Sequence, residues 1–237
     1  MAGKYKYRLG ERELDINPIL ITGCQRSGTS IVAGAIHLCG AFGGIMGGMF
    51  ENSGVKNGIV ERFLQQIGVD PAGQYPLPDV EKLLIPHDWK RQIRLSMEKD
   101  GYKDGPWFYK DARSCLIWPV WNYAFPNAKW IIVRRRSGDI VSSCEKTGFM
   151  KAFKNETAQK AIGVDNASEG WLWWLHQYEK RFVEMITEGL DCKVVWPHRM
   201  VYGDYQQMME TIEWLGLKWN SKVLTFIDPK LWKSRRQ

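Results

Sequence analysis

Apolar and polar positions along this chain fall into short blocks that change period abruptly. Pro18-Ile19-Leu20-Ile21-Thr22 is a brief apolar run ended by Gly23, and Gly28 to Leu38 then carries small and apolar residues at helical spacing. The order of strand, loop and helix returns twice. Trp107 to Lys110 precedes a helix over Ser114 to Ala124, and Trp130 to Val133 precedes one over Gly138 to Phe149. A fourth buried strand is expected over Lys193 to Trp196, followed by helical segments near Asp204 to Leu215 and Ser221 to Phe226. Strands alternating with helices predict a mainly parallel sheet covered on both faces, with ligands gathered at the carboxyl ends of the strands.

Two segments break the rhythm. Residues 70–105 hold Pro71, Pro76, Pro78 and Pro86 around a charged helical stretch, and residues 147–169 are polar, with Gly148 and Gly163. Insertions of this length more often form lids or binding loops than plain connections, so both are expected at a substrate site. With 237 residues and 44% hydrophobic content, the chain fits one domain over 1–237 better than two small ones. Trp171, Trp173 and Trp174 share one expected helix, where core packing is their ordinary role.

Charge and cysteine content narrow the partners. A net charge of +7 favours polyanions, but the densest runs, Arg134-Arg135-Arg136 and the tail Lys230 to Arg236, are short enough to be solvated faces, so nucleic acid is disfavoured as a partner. Five cysteines at scattered spacings contain no C-x-x-C pair and read as reduced, mostly buried thiols. Met1 to Pro18 lacks the apolar stretch of a secretory signal, and no run approaches the ~18 apolar residues of a membrane span. A soluble, cytoplasmic protein without a membrane partner is expected.

Gly23-Cys24-Gln25-Arg26-Ser27-Gly28-Thr29-Ser30 follows a strand and opens a helix, so backbone N–H groups from Ser27 to Ser30 can converge on an anion at the helix's positive end. The spacing is that of a Walker A loop, G-x-x-x-x-G-K-[ST], yet Thr29 stands where the lysine belongs and the cation is Arg26, inside the loop. A nucleoside triphosphate kinase needs that lysine at its terminal phosphates and a hydroxyl plus a carboxylate on Mg²⁺. A single 5′-phosphosulfate needs one cradle and one cation, a task this loop suits better, with another phosphate ligand or a structural glycine turn as the alternatives. The expected fold is therefore a P-loop-containing three-layer α/β/α domain with a mainly parallel sheet and helical insertions. Farther on, Arg134 ends the strand Trp130 to Val133 and Ser142 lies in the first turns of the next helix, so a guanidinium and a hydroxyl can close on a second phosphate.

Taken together, the loop Gly23 to Ser30, the stretch Phe125 to Arg134 with Ser142, and the dipeptide Lys110-Asp111 resemble the sulfotransferases that use 3′-phosphoadenosine-5′-phosphosulfate (PAPS), especially their tyrosylprotein and bacterial-type branch. Val201-Tyr202-Gly203-Asp204-Tyr205 looks like the family's R-Y-E-D-L segment. The resemblance implies that the loop binds the 5′-phosphosulfate, that Arg134 and Ser142 hold the 3′-phosphate, that Tyr202 lies on the cofactor side, and that the nucleotide product is 3′,5′-adenosine bisphosphate. The chain departs from the family at Arg135, where Asp or Asn is usual, at Ala112, where proline is common, and at Gly203, where glutamate is common.

Sulfuryl transfer is in-line displacement, for which a protein positions reactants and stabilises charge on the leaving phosphate. Arg26 and Lys110 are the candidate cations, Lys110 because it closes a strand beside the loop and falls where the family's catalytic lysine lies. Glu51 is the candidate base. It follows the flexible stretch Gly43 to Gly48, and the family often places a catalytic glutamate in this interval. His37, seven residues beyond Ser30 on the same helix, is displaced by roughly 10 Å along the axis and reads as a packed or capping histidine. No carboxylate cluster for a metal is evident, so a metal-independent site is expected. The acceptor stays open among small molecules, glycans and peptides. A P-loop kinase-like phosphotransferase with Asp111 on Mg²⁺ and a non-catalytic binder of nucleic acid or another polyanion are the competing readings.

Overall fold

The computed structural model describes residues 17–232; residues 1–16, which hold most of Met1 to Pro18, and residues 233–237, which include most of the basic tail, lie outside the described part. The chain opens with β1 (Ile19–Gly23) and α1 (Thr29–Leu38), then α2 (Ser53–Val55), a π-helical turn over Lys56–Val60 and α3 (Glu61–Gln66). After α4 (Trp89–Lys99) come β2 (Phe108–Lys110), a 3₁₀ segment over Ala112–Ile117, α5 (Trp118–Ala124) and β3 (Lys129–Val133). There follow α6 (Ser137–Lys146), α7 (Glu156–Ile162), α8 (Ala167–Thr187), β4 (Cys192–Val195), α9 (Pro197–Val201), α10 (Gln206–Trp214) and α11 (Lys222–Phe226).

The strands form a parallel sheet in the order β2-β1-β3-β4, with Ile21 opposite Lys110 and Ile131, and Val133 opposite Val195. Because β1 has β2 on one side and β3 on the other, its carboxyl end is the switch point where an open α/β sheet forms a crevice. Period-two alternation sorts the strand residues between two cores. Leu20, Tyr109, Trp130 and Ile132 enter an aromatic core with Trp89, Trp107, Trp121, Trp171 and Trp174, built against α3, α4, α5, α6 and α8. Ile19, Ile21, Phe108, Ile131 and Val133 enter a mainly aliphatic core against α1, α9, α10 and α11. Helices thus cover both faces, the three layers that the alternating pattern predicts.

Several boundaries differ from expectation for local reasons. The β4 strand is an edge rather than a fully buried strand among the described residues; only Val195 of its four residues is buried, since no described strand pairs with its outer side. The α6 helix stops at Lys146, where extended Thr147 turns its hydroxyl back to the Ser143 carbonyl (2.6 Å) ahead of Gly148. The segment 147–169 contains α7 and runs into α8, which Asn166 caps by accepting a hydrogen bond from the Glu169 N–H. All five cysteines are free thiols, four buried and Cys192 partly so. No described helix is long and apolar enough to cross a membrane.

Candidate active site

The turn after β1 is shaped to receive an anion. Gly23 ends the strand opposite Val133, the Ser27 N–H closes on the Cys24 carbonyl (3.1 Å), and Gly28 caps α1 with φ 96°, a conformation that side chains resist. Arg26 also has a positive φ, 72°, which costs a non-glycine residue on the order of 1 to 3 kcal/mol and points to a constrained, functional turn. The first-turn N–H groups of Thr29 and Ser30 have no acceptor within the helix, and no acidic side chain occupies that turn. Ser27 is fully buried, and its hydroxyl has no partner among the described residues. An orphan hydroxyl costs about 1 to 3 kcal/mol, and a bound anion's oxygen would satisfy it. Thr29 is buried beside it. Burial holds the Cys24 thiol well above its ordinary pKa, so it stays a neutral packing group.

On the β3 side the loop meets cations. The Arg26 guanidinium donates from Nε to Ser143 Oγ (2.9 Å) and stands 5.9 Å from the centre of the half-exposed Phe149 ring. Arg135 donates from Nη1 to the Arg26 carbonyl (3.0 Å), with Asp139 at 3.9 Å. Burial pulls the Arg135 pKa down, opposed by Asp139 and reinforced by Arg26. Arg134 and Ser142 stand elsewhere. Arg134 continues the β3 ladder through its N–H to the Val195 carbonyl, and its guanidinium pairs with Glu179 of α8 and lies over Trp196. Ser142 lines a separate cleft of about 570 Å³ with Arg136, Ser137, Glu145 and Ser168, and no hydrogen bond joins it to Arg134. Strand alternation explains the difference: consecutive residues leave β3 in opposite directions, and one residue on α6 is a rotation of ~100°. Arg135 and Ser143, each one position farther along and at the same spacing as Arg134 with Ser142, are the residues that contact Arg26 of the loop. Tyr202 caps α9, exposed, beside His198.

On the β2 side lies a carboxylate between two ammonium groups. Lys110, 4% exposed along its side chain, donates to Glu51 Oε1 (2.8 Å), and Lys56 donates to Oε2 (2.7 Å). Glu51 sits two residues beyond Met49, whose carbonyl accepts a hydrogen bond from Ser30 Oγ of the loop (3.3 Å). His37 instead contacts the Ala41 carbonyl (3.4 Å) and packs between Phe50 and Phe108. Behind Lys110, both Asp111 oxygens are taken up: Oδ1 accepts from the Arg113 N–H and Nε, and Oδ2 from Arg113 Nη2 (2.6 Å) and the Tyr109 hydroxyl (2.7 Å). Burial pushes the Asp111 carboxyl up, but the Arg113 guanidinium and these hydrogen bonds outweigh it and hold the group below the ordinary range. Thr22 of β1 ties in the same stretch, donating to the Ala112 carbonyl (3.1 Å) and accepting from the Cys115 N–H (3.2 Å). Among the described residues no three His, Cys, Asp or Glu side chains converge as a metal site.

Parts of both insertions reach this crevice. Gln25 donates to the Ala72 carbonyl, and Arg113 reaches Glu61 and the Pro71 carbonyl. Buried Gln74 donates to the Phe149 carbonyl (2.9 Å) and accepts from the Lys151 and Ala152 N–H groups, latching the two insertions together. Between them lies a cleft of about 510 Å³ lined by Tyr75, Phe149, Lys151 and Asn155 among others.

No family model matches the sequence, and no curated protein matches it. Among solved structures, the sulfotransferase domain from the curacin biosynthetic pathway superposes with a TM-score of 0.51 at 12% identity, over 88% of this chain and 77% of that one. The fold is similar to a sulfotransferase fold. Two further matches are sulfotransferase STF9 from Mycobacterium avium (TM-score 0.49, 12% identity, 89% of this chain) and STF1 from Mycobacterium tuberculosis H37Rv (0.46, 14%, 88%). The chain spans 66% of the STF9 chain and 70% of the STF1 chain.

Proposed function

We propose that the chain is a sulfotransferase that takes a sulfuryl group from PAPS. The observation that carries this reading is the Glu51–Lys110 pair, 2.8 Å apart and two residues from the contact with Ser30, beside an anion-shaped loop in a sulfotransferase-like fold. The orphan Ser27 hydroxyl, the free first-turn N–H groups and Arg26 suit a 5′-phosphosulfate, while Arg135 with Ser143 suits a 3′-phosphate better than Arg134 with Ser142. When bound, the donor supplies a sulfur centre whose bond to the leaving phosphate oxygen breaks as its bond to the acceptor oxygen or nitrogen forms. Glu51 receives the acceptor's proton, Arg26 and Lys110 place positive charge where negative charge grows, and the insertions 70–105 and 147–169 wall the acceptor.

The competing readings lack comparable support. Asp111, which a phosphotransferase would need on Mg²⁺, already has both oxygens engaged by Arg113 and Tyr109. Of the basic run at 134–136, Arg134 is paired with Glu179 and Arg135 faces the loop, so it is not an open polyanion surface. The test is thermal shift without Mg²⁺. At about 100 times its dissociation constant, 3′,5′-adenosine bisphosphate should stabilise by ~2.7 kcal/mol, raising the melting temperature by about 5 to 10 °C, and AMP much less. Arg135→Ala should lose about one to two decades of bisphosphate affinity and Arg134→Ala less than about threefold. Equal shifts from both nucleotides would sink the reading.

A further inference from the structure

Residue 232 lies far from the phosphate loop in sequence but against it in space. A 3₁₀ turn over Pro229–Leu231 delivers Trp232, whose ring lies beneath the Arg135 guanidinium, 4.2 Å from its central carbon to the ring centre. The same ring covers Gly28: a methyl group added there would lie 2.8 Å from the indole, with Pro197 of α9 at 3.2 Å. The Trp232 Nε1 donor is buried and has no partner among the described residues. An aromatic plate from the C-terminal segment therefore bridges the two halves of the anion site, the helix-capping glycine and the cation beyond it.

Resting on the nucleotide reading above, we propose that Trp232 is a positioning residue that sets selectivity for a nucleotide bearing a second phosphate. The hydrogen bond to the Arg26 carbonyl holds one edge of the Arg135 guanidinium, and the indole face holds its plane. A guanidinium stacked on a π face has its plane fixed and loses less freedom when an anion arrives. Gly28 is required for the same arrangement, because a side chain there would displace the indole.

Isothermal titration with 3′,5′-adenosine bisphosphate and with AMP tests this in the intact chain. Trp232→Leu keeps apolar bulk over Gly28 but has no π face; Trp232→Phe keeps both. The leucine variant should lose about tenfold in bisphosphate affinity and less than about threefold for AMP, while the phenylalanine variant stays within about threefold of wild type for both. In an Arg135→Ala background, Trp232→Leu should cost nothing further, since its effect runs through the guanidinium. Equal behaviour of the leucine and phenylalanine variants, an equal loss for both nucleotides, or tighter binding by the leucine variant would overturn the proposal while leaving the nucleotide reading intact. A wild-type chain that does not prefer the bisphosphate overturns both.

Discussion

Arg113→Met removes the cation that compensates Asp111 behind the candidate site. In the native fold Arg113 and Asp111 side chains are 5% and 3% exposed, joined through two parallel N–H···O contacts of 2.8 and 2.6 Å, with Glu61 3.1 Å away. Methionine fills similar apolar volume but leaves a buried carboxylate with the Tyr109 hydroxyl and one backbone N–H. Breaking such a pair costs about 3 to 5 kcal/mol, a large share of the ~5 to 15 kcal/mol that holds an ordinary domain together. For a chain of this length the melting temperature should fall by about 6 to 20 °C. The pH dependence carries a sign. In the wild type the Asp111 carboxyl is held below its ordinary pKa, so its contribution is present above about pH 4 and lost as pH falls through the depressed value. In the variant, burial without the guanidinium raises it, so stability is lost as pH rises through the raised value. Urea unfolding followed by circular dichroism should therefore show a gap between the two proteins that is smallest in acid and widens as pH rises toward neutral. Adding Asp111→Asn should recover much of the loss at neutral pH. A single variant within about 1 kcal/mol of wild type, or a gap that does not widen with pH, would refute the assignment of this pair as a structural brace.

Lys110→Ala should lower turnover about 100-fold while bisphosphate affinity changes only a few-fold, because its ammonium acts on charge that grows in the transition state; normal turnover with weak PAPS binding would make it a ground-state anchor. With saturating PAPS and a working acceptor, Glu51→Gln should lose about 100-fold or more and His37→Asn little. Full turnover in the glutamine variant with loss in a folded asparagine variant would move the proton to His37.

The alternation of strands and helices and the loop were legible because they rest on local signals: apolar runs, Gly23 and Gly28, and helical spacing from Thr29 onward. What the chain does not announce is direction. Arg134 and Arg135, like Ser142 and Ser143, are neighbours of one type, and the phase of the β3 pleat and the turn of α6 decide which pair faces the loop. The Arg113–Asp111 contact is an i, i+2 pair in a 3₁₀ turn, a spacing with no helical or strand signature. Glu51 and Lys110 are 59 residues apart, and their meeting depends on how the glycine-rich stretch folds back. Trp232 was illegible for a similar reason, since only tertiary packing brings it to Gly28.

The Gly73 carbonyl accepts hydrogen bonds from both Trp174 Nε1 and Tyr178 Oη, each 2.9 Å away and each from the buried side of α8. One peptide group is thereby anchored by two rigid aromatic side chains, and Gln25 and Arg113 hold the carbonyls of Ala72 and Pro71 beside it. Such a wall cannot remould itself around a guest. On the reading proposed above, discrimination along this edge of the crevice is steric, a matter of which shapes enter a preformed mould, while the half-exposed Phe149 side chain lies across the cleft.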